Sequence, residues 1–287
     1  MLYRFYKFWL FVLRATTLRA AYLFTSFFAR VQYAVSKKDR EIVKENLRRA
    51  MPGASDNKIS ATAKDVFVNF GKYLVDFFSL GKNLKEHVKK TVRFVNINSL
   101  DDALKLGKGC ILVTGHFGNW ELSGCALASL GYKINVVALD HADERINNLF
   151  IGQRKMAGMR VMRIGTARAA CQRALEQAEA VGIMGDRPFG DRGVEIDFFG
   201  KTAIFPRGAA LFSIKYGSPI VMFFTYKDDT GSNKYTIYFE KPLFAEQKKD
   251  VSKQLIDIAQ AFAKKFEHHI RKHPSQWYMF NKVWKDQ

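Results

Sequence analysis

The stretch "GHFGNWEL", residues 115–122, combines residue types that can perform acid–base chemistry. The apolar run "CILVT" precedes it, so His116 is predicted at the carboxyl end of a strand, where the active sites of α/β sheets lie. Gly115 and Gly118 permit a sharp turn and leave room for a substrate to approach. Asn119 is a suitable N-cap, which would place Glu121 in the first turn of the next helix.

The spacing of His116 and Glu121 predicts a general base, provided that the chain turns between them. In a continuous helix the two side chains would point about 140° apart. A glycine turn instead lets the Glu121 carboxylate accept a hydrogen bond from one imidazole nitrogen, and an imidazole held in this way can take a proton from a hydroxyl. The spacing alone also fits the alternative of a helix-capping or core histidine.

Other catalytic motifs are missing from the sequence. No Gly-x-Ser-x-Gly elbow occurs, which disfavours a serine hydrolase and indicates that the attacking hydroxyl belongs to the substrate. Neither glycine-rich nucleotide-binding pattern occurs, so we expect no cofactor. His268, His269 and His273 have no carboxylate at ligand spacing, and we expect surface histidines and no metal site.

From residue 92 onwards, short apolar runs alternate with helical patterns. The predicted strands are 92–97, 110–114, 134–139, 160–164, 181–184, 219–226 and 235–239. The predicted helices are 101–106, 119–130, 143–157, 166–180, 207–216 and 251–271, preceded by one in "KKDREIVKENLRRAMPGAS" and one in "DNKISATAKDVFVNFGKYLVDFFSL". This order predicts a layered α/β fold with a largely parallel central sheet flanked by helices.

The charge of the chain indicates a polyanionic partner, because the sequence contains 46 Lys+Arg but only 27 Asp+Glu, which gives a net charge of +19. The first 38 residues contain seven basic side chains and no acidic one. These basic residues are Arg4, Lys7, Arg14, Arg19, Arg30, Lys37 and Lys38. Taken as one helix, the segment puts most of its charge on one side and many aromatic residues between the charges, which is typical of a helix lying in a membrane interface. An ordinary core helix is the alternative.

Two further features bear on location. The longest uncharged run of the N-terminal segment, residues 20–29, is too short to span a bilayer, and no small-residue cleavage site follows the segment, so a removed signal peptide is not expected. Cys110, Cys125 and Cys171 are widely spaced among apolar residues. We therefore expect buried, unreactive thiols and a reducing compartment. An anionic membrane surface is the expected partner, and nucleic acid is not.

At "GHFGNWEL" the sequence begins to resemble the bacterial lipid A biosynthesis acyltransferases, which belong to the lysophospholipid acyltransferase superfamily. The likeness covers residues 39 to the end in blocks that keep the family's order. The further blocks are "REIVKENLRRAMPGAS", "IGQRKMAGMRVM", "VGIMGDRPFGDRGVEIDFFGKTAIFPRGAALFSIKYGSPIV" and "IRKHPSQWYMFNKVW". The family usually begins with one membrane-spanning helix, whereas Arg14 and Arg19 interrupt this N-terminus. The closing segment has Tyr278, Met279 and Phe280 where the family more often has a tryptophan and a basic cluster.

The resemblance implies transfer of a fatty acyl chain from an acyl-carrier-protein or acyl-CoA thioester to a glycolipid hydroxyl. His116 would be the base and Glu121 would orient it. Arg154, or backbone amides near Gly115, would stabilise the oxyanion. The resemblance further implies a positioning role for Asp186 and binding of an anionic donor or acceptor group by Arg187. It also makes Lys201 and Arg207 candidates for phosphate contacts.

The resemblance also implies a place in the cell and a division of the chain. We expect the cytoplasmic face of a bacterial inner membrane, with a peripheral or monotopic association or a single N-terminal anchor. Residues 1–38 would form the membrane-interface segment and residues 39–287 a single acyltransferase domain. The expected acceptor is a lipid A precursor or a related glycolipid. The alternatives are a phospholipid, aminolipid or mannosylated lipid acceptor and, from another class, a non-catalytic basic protein that binds anionic membrane or nucleic acid.

Overall fold

The computed structural model describes residues 2–81, 83–188, 193–227, 235–246 and 250–285. The helices in these residues are α1 (Leu2–Ala15), α2 (Leu18–Val35), α3 (Lys37–Ala50), α4 (Asp56–Ser79), α5 (Leu84–Thr91), α6 (Asn98–Lys105), α7 (Trp120–Ser129), α8 (Glu144–Met156), α9 (Ala167–Glu176), α10 (Gly208–Tyr216) and α11 (Val251–Lys272). The strands are β1 (Val92–Val95), β2 (Cys110–Thr114), β3 (Ile134–Ala138), β4 (Arg160–Arg163), β5 (Ala180–Met184), β6 (Gly193–Phe198), β7 (Lys201–Pro206), β8 (Ile220–Lys227) and β9 (Tyr235–Phe239).

Seven strands form one sheet in the order β1-β9-β8-β2-β5-β3-β4. Strands β8, β2, β5, β3 and β4 run parallel, whereas β9 is antiparallel to β8 and β1 is parallel to β9. Helices α4 and α7 contribute to one buried hydrophobic cluster, and helices α9, α10 and α11 contribute to a second one. Every residue of β2 is buried, as its continuous apolar run requires of a strand covered on both faces. The predicted α/β fold with a largely parallel sheet is confirmed.

The predicted strands are all present, with ends within two residues of those expected, but the hairpin of β6 and β7 was not predicted. This hairpin forms a separate two-stranded sheet. Phe199 and Gly200 connect the two strands, and both have positive φ, at 53° and 78°. Two such residues form the tight turn that matches the twist of a hairpin. The stretch "DFFGK" therefore supplies the end of β6 and this turn.

The N-terminal segment forms two helices, so the prediction of one continuous helix over it is wrong. Helix α1 ends at Ala15, and the Thr17 side chain accepts a hydrogen bond from the backbone N–H of Ala20, which caps α2. A threonine in extended conformation at this position starts a new helix instead of continuing the old one. The basic residues of the two helices therefore do not share one helical wheel.

Helix α2 buries several small side chains against the protein and leaves several large apolar ones exposed. Ala21, Thr25 and Ala29 are buried, and Thr25 lies so close to Gly71 of α4 that a Cβ there would be 2.7 Å from Thr25 Cγ2. Leu23 and Phe27, in contrast, are 74% and 60% exposed. The exposure of such large apolar side chains is unlike an ordinary core helix. Among the residues described, no helix combines the length and the apolar character required to cross a bilayer.

Candidate active site

The register of two neighbouring strands brings His116 and Asp186 together. Thr114 of β2 is the register partner of Met184 of β5, and each strand is followed by one glycine before the functional residue. The Nδ1 atom of His116 lies 2.9 Å from Asp186 Oδ1, and the His116 backbone N–H donates to Asp186 Oδ2 at 2.6 Å. The His116 side chain is 28% exposed and that of Asp186 only 3%. The imidazole is therefore more accessible to a substrate than the carboxylate that contacts it.

The two glycines of the motif are required by close contacts. A Cβ on Gly115 would lie 2.7 Å from Asp186 Oδ2, inside the space that the carboxylate needs to reach the imidazole. Gly118 has a φ of +58°, and a Cβ there would lie 1.6 Å from the carbonyl oxygen of Thr225. The sharp turn predicted from these glycines is confirmed, and both of them keep the loop close to its neighbours.

Asn119 caps α7 as predicted, with its Oδ1 accepting from the backbone N–H of Leu122 at 2.9 Å. This cap puts Glu121 in the first turn of the helix, facing α8. Arg154 of α8 donates to Glu121 through Nε at 2.9 Å and through Nη2 at 2.5 Å. The predicted hydrogen bond between Glu121 and His116 is therefore wrong, because the Glu121 carboxylate is engaged by Arg154 and the acidic partner of His116 is Asp186.

The ion pair of Glu121 and Arg154 is buried, with 6% and 13% of the side chains exposed. Burial alone lowers the pKa of the Arg154 guanidinium, but the charge and hydrogen bonds of Glu121 outweigh it and the pKa is raised. Two of the Arg154 nitrogens are committed to a carboxylate, so the structure places this residue in an ion pair instead of in the predicted oxyanion contact. The pair joins α7 to α8.

The backbone amides near Gly115 are also engaged. The N–H of His116 donates to Asp186, that of Phe117 to the Gly115 carbonyl at 2.7 Å, and that of Gly118 to the Gln276 carbonyl at 2.8 Å. These three amides hold the loop in shape. The expectation that they donate to an oxyanion is therefore not met in this conformation.

The remaining predicted residues lie around the hairpin and the end of β5. Arg187 is exposed and, together with Asp186, lines a cavity of about 230 Å³. Lys201 is the first residue of β7 and Arg207 follows the last one, so about 20 Å of extended chain separates them. The structure thus brings Arg187 next to the His116–Asp186 pair, but it does not bring Lys201 and Arg207 to one common site.

An aromatic wall beside His116 was not predicted. The Trp120 ring packs edge-on to the imidazole with 5.4 Å between centroids, and Tyr73 of α4 stacks on Trp120 at 4.4 Å. Tyr278 continues the wall, and its backbone N–H donates to the His116 carbonyl at 2.8 Å. Trp120 lies within the "GHFGNWEL" motif and could have been found there. Tyr73 and Tyr278 are distant in sequence, and no local pattern marks them.

The cysteines are buried and free, as predicted. Burial raises the pKa of the Cys110 thiol to about 12 and that of Cys171 to about 11, which suppresses the reactive thiolate. Among the three histidines expected at the surface, His269 is an exception, because it is buried under a stacking contact with Phe224. Its two ring nitrogens contact Tyr226 and Glu240. The helical pattern of α11 explains this, since His269 shares the apolar face with Phe262 and Phe266.

The arrangement at His116 supports proton transfer to and from a hydroxyl. A proton on Nδ1 is donated to Asp186, which leaves Nε2 as the basic nitrogen. Asp186 also stabilises the imidazolium that forms when Nε2 takes a proton. A histidine held by a buried carboxylate at the mouth of a parallel sheet therefore has the geometry of a general base.

A family model of the bacterial lipid A biosynthesis acyltransferases matches residues 2–286. The chain belongs to this family. It is therefore an acyltransferase, and the resemblance seen in the sequence is confirmed. The alternative of a basic protein that binds without catalysis is set aside.

Curated relatives within this family carry one function name. The phosphatidylinositol mannoside acyltransferase of Mycobacterium tuberculosis is 26% identical over 254 residues, which cover 85% of this chain and 77% of that protein. The protein of the same name from Mycolicibacterium smegmatis is 24% identical over 265 residues, which cover 90% of this chain and 84% of the relative. The names of these relatives match the mannosylated-lipid alternative.

Proposed function

We propose that this protein transfers a fatty acyl chain from a thioester donor to a sugar hydroxyl of a phosphate-bearing glycolipid, with His116 as general base. The observation that carries the proposal is the 2.9 Å contact between His116 Nδ1 and the buried Asp186 carboxylate. Asp186 is a positioning residue, since it acts through His116. The donor is an acyl chain on an acyl carrier protein or on coenzyme A.

In the proposed reaction, His116 Nε2 first accepts a proton and later returns it. Nε2 of His116 removes the proton of the acceptor hydroxyl while its oxygen attacks the thioester carbonyl carbon. The resulting tetrahedral intermediate collapses with cleavage of the C–S bond. The leaving thiolate takes the proton from Nε2, which restores the neutral imidazole. Positioned proton transfer of this kind typically accelerates a reaction by about 10²- to 10⁴-fold.

Two acceptors share the required chemistry, a hydroxyl on a sugar that is attached to a phosphorylated lipid. A lipid A precursor is favoured by the family to which the chain belongs. A phosphatidylinositol mannoside is favoured by the names of the relatives of this chain. Both therefore belong in the test.

The test measures transfer of a labelled acyl chain from acyl carrier protein and from coenzyme A to each acceptor in detergent micelles. The wild type should acylate one acceptor, and His116→Ala should not. An ester product that forms equally fast with His116→Ala would contradict the assigned base. Transfer to neither acceptor, with His116-dependent hydrolysis of the thioester, would reject the acceptor class and retain the base.

We further propose that the outer face of α1 and α2 rests on an anionic bilayer at the cytoplasmic face of a bacterial inner membrane. The exposed apolar side chains of these helices are Phe8, Phe11, Leu18, Leu23, Phe27, Phe28, Val31 and Val35. Arg4, Lys7, Arg19 and Arg30 are exposed on the same two helices. An apolar face bordered by cations is the pattern of an interfacial membrane contact.

The membrane contact is tested by co-sedimentation with vesicles that contain anionic phospholipid. Leu23→Ser/Phe27→Ser should reduce the bound fraction, with a partition coefficient about tenfold lower or more, because two large apolar side chains no longer enter the lipid. Leu106→Ser/Leu130→Ser is the matched control, since these leucines are also exposed but lie directly after α6 and α7, outside the proposed membrane face. Equal binding by both variants would overturn the proposal.

A further inference from the structure

The cavity beside Asp186 is lined mostly by residues that have no role in the proposed proton transfer by His116 and Asp186. It is lined by residues after β5, by strand β7 and by the C-terminal segment. The lining includes Arg187, Ile204, Met279, Lys282 and Lys285. Its volume of about 230 Å³ is several times that of a water molecule in the liquid. A phosphate group with part of its substituents fits such a space.

The lining of this cavity is strongly basic. Arg187, Lys282 and Lys285 contribute three cations against the single carboxylate of Asp186, which already accepts two hydrogen bonds from His116. Lys285 also forms an ion pair with Glu195. Arg187 and Lys282 are exposed and can turn towards a ligand. A guanidinium with neighbouring ammonium groups is the arrangement that proteins use to bind phosphate.

The C-terminal wall is held in place from two sides, which distinguishes it from a set of solvated surface lysines. The Asn46 side chain of α3 donates to the carbonyls of Met279 and Asn281 at 2.9 and 3.0 Å. Trp284 Nε1 donates to the Phe198 carbonyl at 2.7 Å, and the Lys285 N–H donates to the Thr202 carbonyl. The backbone that carries the two lysines is thereby fixed before a ligand arrives, which reduces the entropy lost on binding.

We infer that Arg187, Lys282 and Lys285 form a phosphate-binding subsite that holds one substrate against the catalytic pair. The inference rests on the proposed acyl transfer and specifies how a substrate is oriented. Asp186 is both the partner of His116 and a wall of the cavity, so a phosphate bound there lies beside the base. The phosphate belongs either to the phosphopantetheine arm of the donor or to the headgroup of the acceptor.

The test is direct binding by isothermal titration calorimetry, which requires no turnover. The probes are unacylated coenzyme A for the donor, and myo-inositol 1-phosphate and glucosamine 1-phosphate for the acceptor. Arg187→Ala/Lys282→Ala should raise the Kd of one probe class about tenfold or more, since charge-assisted hydrogen bonds are lost. Lys89→Ala/Lys90→Ala removes the same charge from the exposed part of α5 and should leave every Kd unchanged.

The results show whether the bound phosphate belongs to the donor or to the acceptor. Weaker binding of coenzyme A alone assigns the subsite to the donor, and weaker binding of the headgroup phosphates alone assigns it to the acceptor. The KM of the same substrate should rise while kcat is kept. Equal Kd values for the double variant and the wild type, or a wild type that binds none of the probes, would overturn the inference.

Two more variants keep the test independent of folding and of the proposed reaction. Lys282→Arg retains the charge and should retain binding, even if the double alanine variant loses its cooperative thermal transition. His116→Ala should bind the phosphate probes like the wild type, because the imidazole is not in the lining. Failure of the acyl-transfer assay combined with charge-dependent binding would thus reject the reaction and keep the subsite.

Discussion

At the scale of single residues, the site contains two carboxylates with separate tasks. Asp186 contacts the imidazole of His116, whereas Glu121 is paired with Arg154. Both carboxylates are almost fully buried. Substitution of one should affect the chemistry, and substitution of the other should affect the fold.

The first prediction concerns Asp186→Asn. An asparagine can still accept from the His116 N–H, but its amide group would then face Nδ1 and favour the wrong imidazole tautomer. We expect kcat to fall by about 10²- to 10⁴-fold with little change in thermal stability. Steady-state kinetics of acyl transfer, together with a thermal melt, measures both. Full activity of Asp186→Asn would show that the carboxylate does not act through His116.

The second prediction concerns Glu121→Ala. Removal of this carboxylate leaves the buried Arg154 guanidinium without its partner, and breaking such a pair costs about 3–5 kcal/mol of the free energy of unfolding. Chemical denaturation measures this loss. Glu121→Ala/Arg154→Met removes both charges and should recover a substantial part of the stability. A single variant as stable as the wild type would contradict a structural ion pair.

At the scale of elements, the contact between α2 and α4 fixes the proposed membrane face. Besides the close approach at Gly71, Tyr22 of α2 donates to Asp76 of α4, and Lys227 of β8 lies 3.1 Å from the same carboxylate. Trp9 of α1 donates to Thr25 at 3.2 Å. These contacts attach the two N-terminal helices to the core, so the exposed aromatic side chains have a fixed direction relative to the site.

The third prediction tests this packing with Gly71→Val. The new side chain would collide with Thr25, which cannot rotate away without losing the hydrogen bond from Trp9. We expect the free energy of unfolding to fall by about 1–3 kcal/mol. Gly152→Val is the matched control, because Gly152 lies within α8 and a Cβ added there would have no neighbouring atom within 4 Å. Its effect should stay within about 0.5 kcal/mol in the same denaturation experiment.

At the scale of the whole molecule, the hydrogen-bonded pair of Glu240 and His269 makes the stability depend on pH. The hydrogen bond from His269, aided by Lys265, lowers the pKa of Glu240 from 4.5 to about 2. Burial lowers the pKa of His269 from 6.5. The folded state thus binds fewer protons than the unfolded state at both residues. Stability should be lost as the pH falls, first below 6.5 through His269 and then between 4.5 and about 2 through Glu240.

The fourth prediction follows from this linkage. Glu240→Gln cannot ionise, so its free energy of unfolding should fall less steeply than that of the wild type between pH 4.5 and pH 3. Urea denaturation at several pH values measures the two slopes. Parallel curves for variant and wild type would show that Glu240 has no depressed pKa in the folded protein.

Much of the molecule could be predicted because the signals are local. Continuous apolar runs gave the strands of the sheet, and the glycines beside His116 gave the turn, as the contacts of Gly115 and Gly118 confirm. The hairpin of β6 and β7 was missed because its strands alternate in burial. They therefore lack the continuous apolar runs from which the strands of the main sheet were predicted. The helix break at Thr17 was missed because the hydrophobic pattern continues across it.

The sequence by itself determined the α/β class, the place of His116 at a strand end and the family of acyltransferases. Only the tertiary structure decided which carboxylate holds the imidazole. Glu121 is five residues from His116 and Asp186 is seventy. The register of β2 against β5 nevertheless brings Asp186 to His116, while the cap at Asn119 turns Glu121 towards Arg154. Strand order, register and helix packing arise from contacts between distant segments, and spacing along the chain does not specify them.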